Sequence, residues 1–236
     1  MKKLIALLFI FFTVSSGFTQ PAHHSFTIVA FGTSLTYGSQ IEEEKWTTIL
    51  QKILQERHPQ VEITVINAGI CGSSTRDRLL RIEKDVLNRH PDLVIQDFGI
   101  NDANYEPERH VYLDEFERNI QTMHNQVVSK TGAAEIYWPN TPINCESHVW
   151  RNQPLYVEAG GLEKYAEKYR KCTFQMSRKL HVAFVDVEII FRKKFKEHGM
   201  DHYLQPDGIH FLKAGNQLMA ESLLPSVEKV MKKRLN

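Results

Sequence analysis

Polar residues that could perform nucleophilic chemistry stand in four short segments of the sequence. Ser34, Gly69 and Asn101 each follow a short apolar run, and Asp207 precedes His210 by three residues near the C-terminal end. A serine hydroxyl becomes a useful nucleophile when a histidine takes its proton, and an aspartate can hold that histidine in one tautomer. The N–H groups of Ser34 and Gly69 and the Asn101 amide could bind the oxyanion of an attacked carbonyl. The pattern predicts acyl transfer with a catalytic triad of Ser34, His210 and Asp207.

The elements that must position these residues alternate between strands and helices. β-rich apolar runs occupy 26–31, 61–66, 93–98, 135–138 and 182–187, and apolar residues recur at helical spacing between them. The alternation predicts an α/β fold, a three-layer α/β/α sandwich around a five-stranded parallel sheet of the flavodoxin-like kind. Ligands bind beyond the carboxyl ends of such strands, where Ser34, Gly69 and Asn101 are expected. A final helix from about Lys213 is expected to kink or split at Pro225.

Length and composition are those of an ordinary globular domain. The chain has 236 residues, 42% of them hydrophobic and 24% charged, with a formal net charge of +1. This composition excludes a mainly disordered or coiled-coil chain. The balanced charge argues against nucleic acid or an anionic membrane surface as a partner.

The N-terminal residues have the pattern of a secretory signal peptide. Lys2 and Lys3 precede the apolar run 4–14, and small residues follow at 15–17. An apolar run of this length is too short to span a bilayer as a helix, so no stable membrane insertion is expected. We predict a signal peptide at 1–20, export to the periplasm or the exterior, and a single domain at 21–236.

The cysteines show no spacing typical of a metal site. Cys71, Cys145 and Cys172 form no C-x-x-C motif, and the histidines are scattered. In an oxidising compartment, one disulfide between Cys145 and Cys172 and three free thiols are both compatible with the sequence. We expect neither a metal nor a cofactor.

The ordered motifs resemble those of the SGNH hydrolase superfamily, also called the GDSL-type lipase/esterase family. That family is named for a serine, a glycine, an asparagine and a histidine in successive blocks, which here match Ser34, Gly69, Asn101 and His210. Asp207 matches the triad acid, and the resemblance extends from about residue 26 to the last helix. It implies the SGNH hydrolase fold and a serine esterase activity through an acyl-enzyme. The first block departs from the usual Gly-Asp-Ser-Leu, because Thr33 replaces the aspartate.

Other interpretations of the same residues lead to different functions. An ordinary α/β-hydrolase would carry Gly-x-Ser-x-Gly, but Thr36 occupies the last position of that motif. A flavodoxin-like protein could bind a flavin phosphate with the hydroxyl groups of the first loop, yet it would not need Asn101, Asp207 or His210. On the SGNH fold itself, a carbohydrate-binding protein without turnover and an acyltransferase that uses a sugar hydroxyl both stay open.

Candidate substrate contacts lie at the end of the fourth strand and in the long loop that follows, about 140–161. Mixed aromatic and polar side chains there suit stacking on a sugar ring, and we select Trp138, His148, Trp150 and Tyr156. The expected substrate is a small-molecule or carbohydrate ester with a short acyl group such as acetyl. A fatty acyl ester, as used by lysophospholipase and thioesterase members of the family, is the alternative.

One further carboxylate needs an explanation. Asp97 stands within the third predicted strand. A charged group in a buried central strand needs a partner, and the sequence does not identify one.

Overall fold

A five-stranded parallel sheet forms the centre of the computed structural model, which describes residues 24–235. The strands are β1 (His24–Gly32), β2 (Val61–Gly69), β3 (Leu93–Phe98), β4 (Ala134–Pro139) and β5 (Ala183–Phe184). They lie in the order β2-β1-β3-β4-β5, so the predicted α/β fold with a flavodoxin-like parallel sheet is confirmed. The predicted signal peptide at 1–20 lies outside the described residues.

Helices cover both faces of this sheet. They are α1 (Ser34–Tyr37), α2 (Trp46–Arg57), α3 (Thr75–Asp85), α4 (Leu113–Thr131), α5 (Pro154–Glu158), α6 (Leu162–Lys179), α7 (Val187–His198) and α8 (Lys213–Leu235), with short 3-10 turns at Glu42–Glu44, Leu87–Arg89 and Met200–His202. Helices α2, α7 and α8 pack on one face, and α3, α4 and α6 pack on the other. Between residues 24 and 235, no helix has the length and apolar character needed to cross a membrane.

Helix α8 continues through Pro225, so the expected split at this residue is wrong. A proline removes one N–H donor from a helix. Leu224 and Val227 lie on either side of Pro225 and are buried, so packing against the core holds both halves in one helix.

The register of the strands brings the predicted site residues to one edge. All six residues of β3 are buried because helices cover both faces of the sheet. Backbone pairing aligns Gly32 with Gly69, and Phe31 with Gln96. The carboxyl ends of β1, β2 and β3 therefore meet, and the loops that follow them share a surface.

Side-chain caps fix where two helices begin. The Ser74 hydroxyl accepts from the Asp77 N–H and the Asp77 carboxylate accepts from the Ser74 N–H, which is a capping box at the start of α3. At α7, the Asp186 carboxylate accepts from the Ile189 N–H at 3.2 Å. This cap ends the extended segment early, so β5 is shorter than the predicted run at 182–187.

Candidate active site

Ser34, His210 and Asp207 form a chain of hydrogen bonds at the carboxyl edge of the sheet. The Ser34 hydroxyl lies 2.8 Å from His210 Nε2, and His210 Nδ1 lies 2.7 Å from Asp207 Oδ2. Asp207 Oδ1 accepts hydrogen bonds from the N–H groups of Ile209 and His210, both at 3.0 Å. Ser34 is the first residue of α1, directly after β1. The turn after one strand and a single C-terminal loop thus supply all three side chains.

The environment of Asp207 keeps its carboxylate ionised. Burial alone would raise the pKa of Asp207, but hydrogen bonds from the His210 ring and from the N–H groups of Ile209 and His210 hold that pKa below its usual value. Because an ionised carboxylate only accepts, the proton of a neutral His210 lies on Nδ1 and leaves Nε2 as an acceptor. The arrangement can therefore take a proton from the Ser34 hydroxyl.

Two of the three expected oxyanion donors already donate hydrogen bonds to other groups of the protein. Asn101 Nδ2 donates to the Ser73 carbonyl at 3.1 Å, and an amide nitrogen has a second hydrogen to give. The Gly69 N–H donates to Asn67 Oδ1 at 3.0 Å. A Cβ at Gly69 would lie 2.1 Å from the Tyr37 nitrogen. Packing against α1 therefore requires a glycine at 69, apart from any role of its N–H as a donor.

Two small cavities meet at the Ser34–His210 pair. One has a volume of about 200 Å³ and is lined by Ser34, Ile100, Asn101, His148, Val149, Trp150, Asp207, Ile209 and His210. The other has a volume of about 210 Å³ and is lined by Ser34, Tyr37, Gly38, Gln40, Cys71, Gln205 and His210. We call them the apolar-walled cavity and the glutamine-lined cavity, because Ile100, Val149 and Ile209 line the first and Gln40 and Gln205 line the second.

Comparison with known families decides the assignment. The sequence profile of the family described as GDSL-like lipase/acylhydrolase matches residues 28–223. The chain belongs to this family. It is a carboxylic ester hydrolase of the SGNH type, as the ordered motifs of the sequence predict.

Relatives of this GDSL-like hydrolase include an acetylxylan esterase. An acetylxylan esterase from Geobacillus stearothermophilus is 27% identical over 186 residues, which are 74% of this chain and 77% of the relative. An uncharacterised lipoprotein from Bacillus subtilis is 29% identical over 223 residues, 88% of this chain and 83% of the relative. A crystal structure of the Geobacillus acetylxylan esterase superposes with a TM-score of 0.67 at 24% identity, covering 86% of this chain and 94% of that one, and shows the shared fold.

Only two of the four predicted substrate contacts of this GDSL-like hydrolase lie at the site. His148 and Trp150 line the apolar-walled cavity. Trp138 has no exposed surface and packs edge-to-face on Trp46, with ring centres 6.3 Å apart. Tyr156 is also fully buried, and its hydroxyl donates to the Ala103 carbonyl at 2.8 Å. The predictions for Trp138 and Tyr156 are wrong because both residues belong to the core.

His148 lines the apolar-walled cavity with a ring whose tautomer follows from its hydrogen bond. Its Nδ1 accepts a hydrogen bond from the Trp150 N–H at 3.1 Å, so the proton of the neutral ring lies on Nε2. Burial lowers the pKa of His148, an effect that the Asp207 charge opposes and a charged His210 would strengthen. The hydrolase therefore places a second, neutral imidazole beside the triad.

The structure also shows the partners of Asp97, which sequence reasoning left open. Asp97 Oδ1 accepts from the Thr33 N–H at 2.9 Å and from the Thr36 hydroxyl at 2.6 Å. Asp97 Oδ2 accepts from the Thr33 hydroxyl. These contacts join β3 to the turn that carries Ser34. No sequence signal identified them, because they depend on the alignment of β1 beside β3.

The cysteines are unpaired, and the described residues form no metal cluster. Cys71, Cys145 and Cys172 are all free thiols. Burial raises the pKa of Cys172 to about 12 and also raises the pKa of Cys145. Within residues 24–235, no group of three or more histidine, cysteine, aspartate or glutamate side chains is placed to hold a metal ion.

Proposed function

We propose that this esterase removes short acyl groups, foremost acetyl, from a carbohydrate or similar polar alcohol by way of an acyl-enzyme on Ser34. The observation that carries the proposal is the unbroken hydrogen-bond chain from Ser34 through His210 to Asp207, with distances of 2.8 and 2.7 Å. These distances fall within the range needed for proton transfer between a nucleophile and its base.

The reaction proceeds in two halves. Ser34 Oγ attacks the ester carbonyl as His210 Nε2 takes its proton, and the Asn101 amide and the Ser34 N–H donate to the oxyanion. The intermediate collapses, the bond to the alcohol breaks, and His210 returns the proton to the leaving alcohol. Water then attacks the acyl-enzyme, with His210 as the base, and releases the acid and free Ser34. Gly69 joins as a donor once its N–H leaves Asn67.

The size and chemistry of the two cavities support a short acyl group on a polar alcohol. The apolar-walled cavity of about 200 Å³ is smaller than the roughly 300–1,000 Å³ of typical small-molecule sites. We place the acyl group there, against Ile100 and Ile209. The glutamine-lined cavity offers Gln40 and Gln205, whose amides can bind the hydroxyls of a sugar. The acetylxylan esterase among the relatives is in keeping with this choice.

A chain-length series of p-nitrophenyl esters, from acetate to palmitate, tests this proposal. The wild type, Ser34→Ala and Ser129→Ala are compared, since Ser129 is an exposed serine on α4. We expect the highest kcat/KM on acetate, background rates for Ser34→Ala, and wild-type rates for Ser129→Ala. A maximum at long chains would refute the short acyl group, and inactivity on every ester would refute ester hydrolysis.

A second assay separates hydrolysis from transfer to a sugar. Acetylated xylo-oligosaccharides are incubated with the enzyme, and free acetate and newly acetylated sugars are both quantified. Hydrolysis predicts that acetate accounts for nearly all the acetyl lost. Dominant transfer to an added sugar acceptor would instead identify an acyltransferase.

We also propose that residues 1–20 direct export and are removed, and that 21–236 form one domain. The support is the sequence pattern of Lys2, Lys3 and the apolar run after them. The mass and N-terminal sequence of protein recovered from the periplasm or the medium test this. Protein retained inside the cell with Met1 or Lys2 as its first residue would refute it.

A further inference from the structure

A buried carboxylate outside the triad holds the nucleophile turn from both sides. Asp97 is 1% exposed and lies at the carboxyl end of β3. Its carboxylate accepts the Thr33 N–H, the Thr33 hydroxyl and the Thr36 hydroxyl. These donors stand just before Ser34 and two residues after it. Three hydrogen bonds to one buried charge are strong and leave the turn little freedom.

The Thr33 hydroxyl both accepts and donates a hydrogen bond. Its oxygen accepts the Leu35 N–H at 3.1 Å and caps α1, while its hydrogen goes to Asp97. The family is described by the letters GDSL, in which an aspartate stands where this chain has Thr33. An aspartate at 33 could also accept the Leu35 N–H, but it has no hydrogen to give to Asp97. Two buried carboxylates in contact would repel each other.

The backbone around Asp97 is shaped to admit its carboxylate. A Cβ at Gly32 would lie 1.5 Å from Asp97 Oδ1, so no larger residue fits there while Asp97 is present. Arg78 is fully buried and donates through Nη1 to the Asp97 carbonyl at 2.5 Å. Burial lowers the pKa of Arg78, and the negative charges of Asp97 and Asp102 oppose that shift. Gly32 thus leaves room for this carboxylate, Thr33 and Thr36 donate to it, and Arg78 places a positive charge near it.

We propose that Asp97 is a positioning residue that sets the Ser34 hydroxyl for attack through Thr33 and Thr36, and that threonine occupies position 33 because β3 supplies the carboxylate. The inference rests on the proposed function, since Ser34 must be the nucleophile. It assigns Asp97 no contact with substrate. Its effect is on the placement of Ser34 Oγ relative to His210 Nε2.

The first test compares Asp97→Asn with Glu135→Gln. Glu135 is a matched control, because its buried carboxylate also accepts three hydrogen bonds, from Gln96, Tyr137 and His124, near the other end of the sheet. We expect Asp97→Asn to lower kcat on p-nitrophenyl acetate by about 10²-fold with little change in KM, since displacements near 1 Å cost this much. The rate of Ser34 labelling by a fluorophosphonate should fall in parallel. Glu135→Gln should lower Tm and keep kcat within about twofold.

The second test moves the carboxylate from β3 to the turn that follows β1. Thr33→Asp alone puts two carboxylates in contact, and their repulsion should displace the Ser34 turn. We expect kcat to fall by at least about 10²-fold, the cost of a displacement near 1 Å. In Thr33→Asp/Asp97→Asn, the new amide donates to the new carboxylate and still accepts from Thr36. We expect the kcat of the double variant to recover to within about tenfold of wild type. Independent effects would instead multiply the losses of the two single variants and give a far lower kcat.

Variants at position 33 keep the proposal testable if Asp97→Asn does not fold. Thr33→Ser retains the hydroxyl and should keep most activity, whereas Thr33→Val removes it at the same volume and should lose about 10²-fold in kcat. Three results would overturn the proposal: Asp97→Asn with lower Tm but normal kcat and labelling rate, full activity of Thr33→Asp, or no rescue in the double variant. Ser34→Ala separates the two proposals, because an active Ser34→Ala would refute the nucleophile assignment itself.

Discussion

Replacing Asp207 with asparagine should lower kcat by a factor of about 30 to about 3 × 10⁴ while leaving the fold intact. In one orientation, the asparagine oxygen keeps the two 3.0 Å bonds from the Ile209 and His210 N–H groups, and its amide then donates to His210 Nδ1. The His210 proton is thereby moved to Nε2, which can no longer accept from Ser34. In the flipped orientation, the tautomer is right but two N–H groups lose their acceptor, at about 1–3 kcal/mol each.

The magnitude follows from that second orientation. Two lost acceptors suppress the active form by about 2–6 kcal/mol, and each 1.36 kcal/mol is a factor of ten in rate. The assay is hydrolysis of p-nitrophenyl acetate, with Tm as the check on folding. Asp207→Ala is the comparison, since alanine leaves His210 free to take either tautomer and should be no worse than asparagine. An Asp207→Asn enzyme with more than a tenth of wild-type kcat would refute the tautomer argument.

Three further substitutions test the packing and charge around the site. Gly69→Ala should destabilise the fold by at least about 1–3 kcal/mol in urea denaturation, because the new Cβ would lie 2.1 Å from the Tyr37 nitrogen. Arg78→Leu should cost about 3–5 kcal/mol in the same assay, since it leaves the Asp97 carbonyl and nearby buried carboxylates without their cation. The folded state resists protonation of His148, whereas an unfolded histidine protonates near pH 6.5, so stability should fall as pH drops below about 6.5. His148→Gln should show a smaller loss of Tm between pH 7.5 and pH 5 than wild type.

The sequence predicted those elements whose signals are local. Strand β3 was predicted at 93–98 and is found at Leu93–Phe98, because Pro91 and Gly99 bound a short apolar run. The apolar run at 182–187 predicts too long a strand β5, because the Asp186 cap starts α7 within that run. An edge strand also pairs on one side only, and β5 joins β4 at just two positions. The helix cap and the one-sided pairing, and not residue propensity, decide where this strand ends.

Contacts between distant segments could not be predicted in the same way. The motifs placed Ser34 and His210 in order along the chain, but the partners of Asp97 depend on β1 lying beside β3. Trp138 was predicted to contact substrate, because aromatic residues near a site suit sugar stacking. In a parallel sheet covered on both faces, every side chain of a central strand can be buried, so residue type does not say which way Trp138 points.

The distance along the chain between the nucleophile and its base determines when activity appears during synthesis and folding. Asp207 and His210 are neighbours in one loop, but Ser34 lies 176 residues before His210. The two can meet only after the first strand and the last loop have been joined through the sheet between them, and such long-range closure comes late in folding. A chain still emerging from the ribosome is therefore inert until His210 has left the exit tunnel. During refolding, the return of turnover reports that the turn carrying Ser34 and the loop carrying His210 have come into contact.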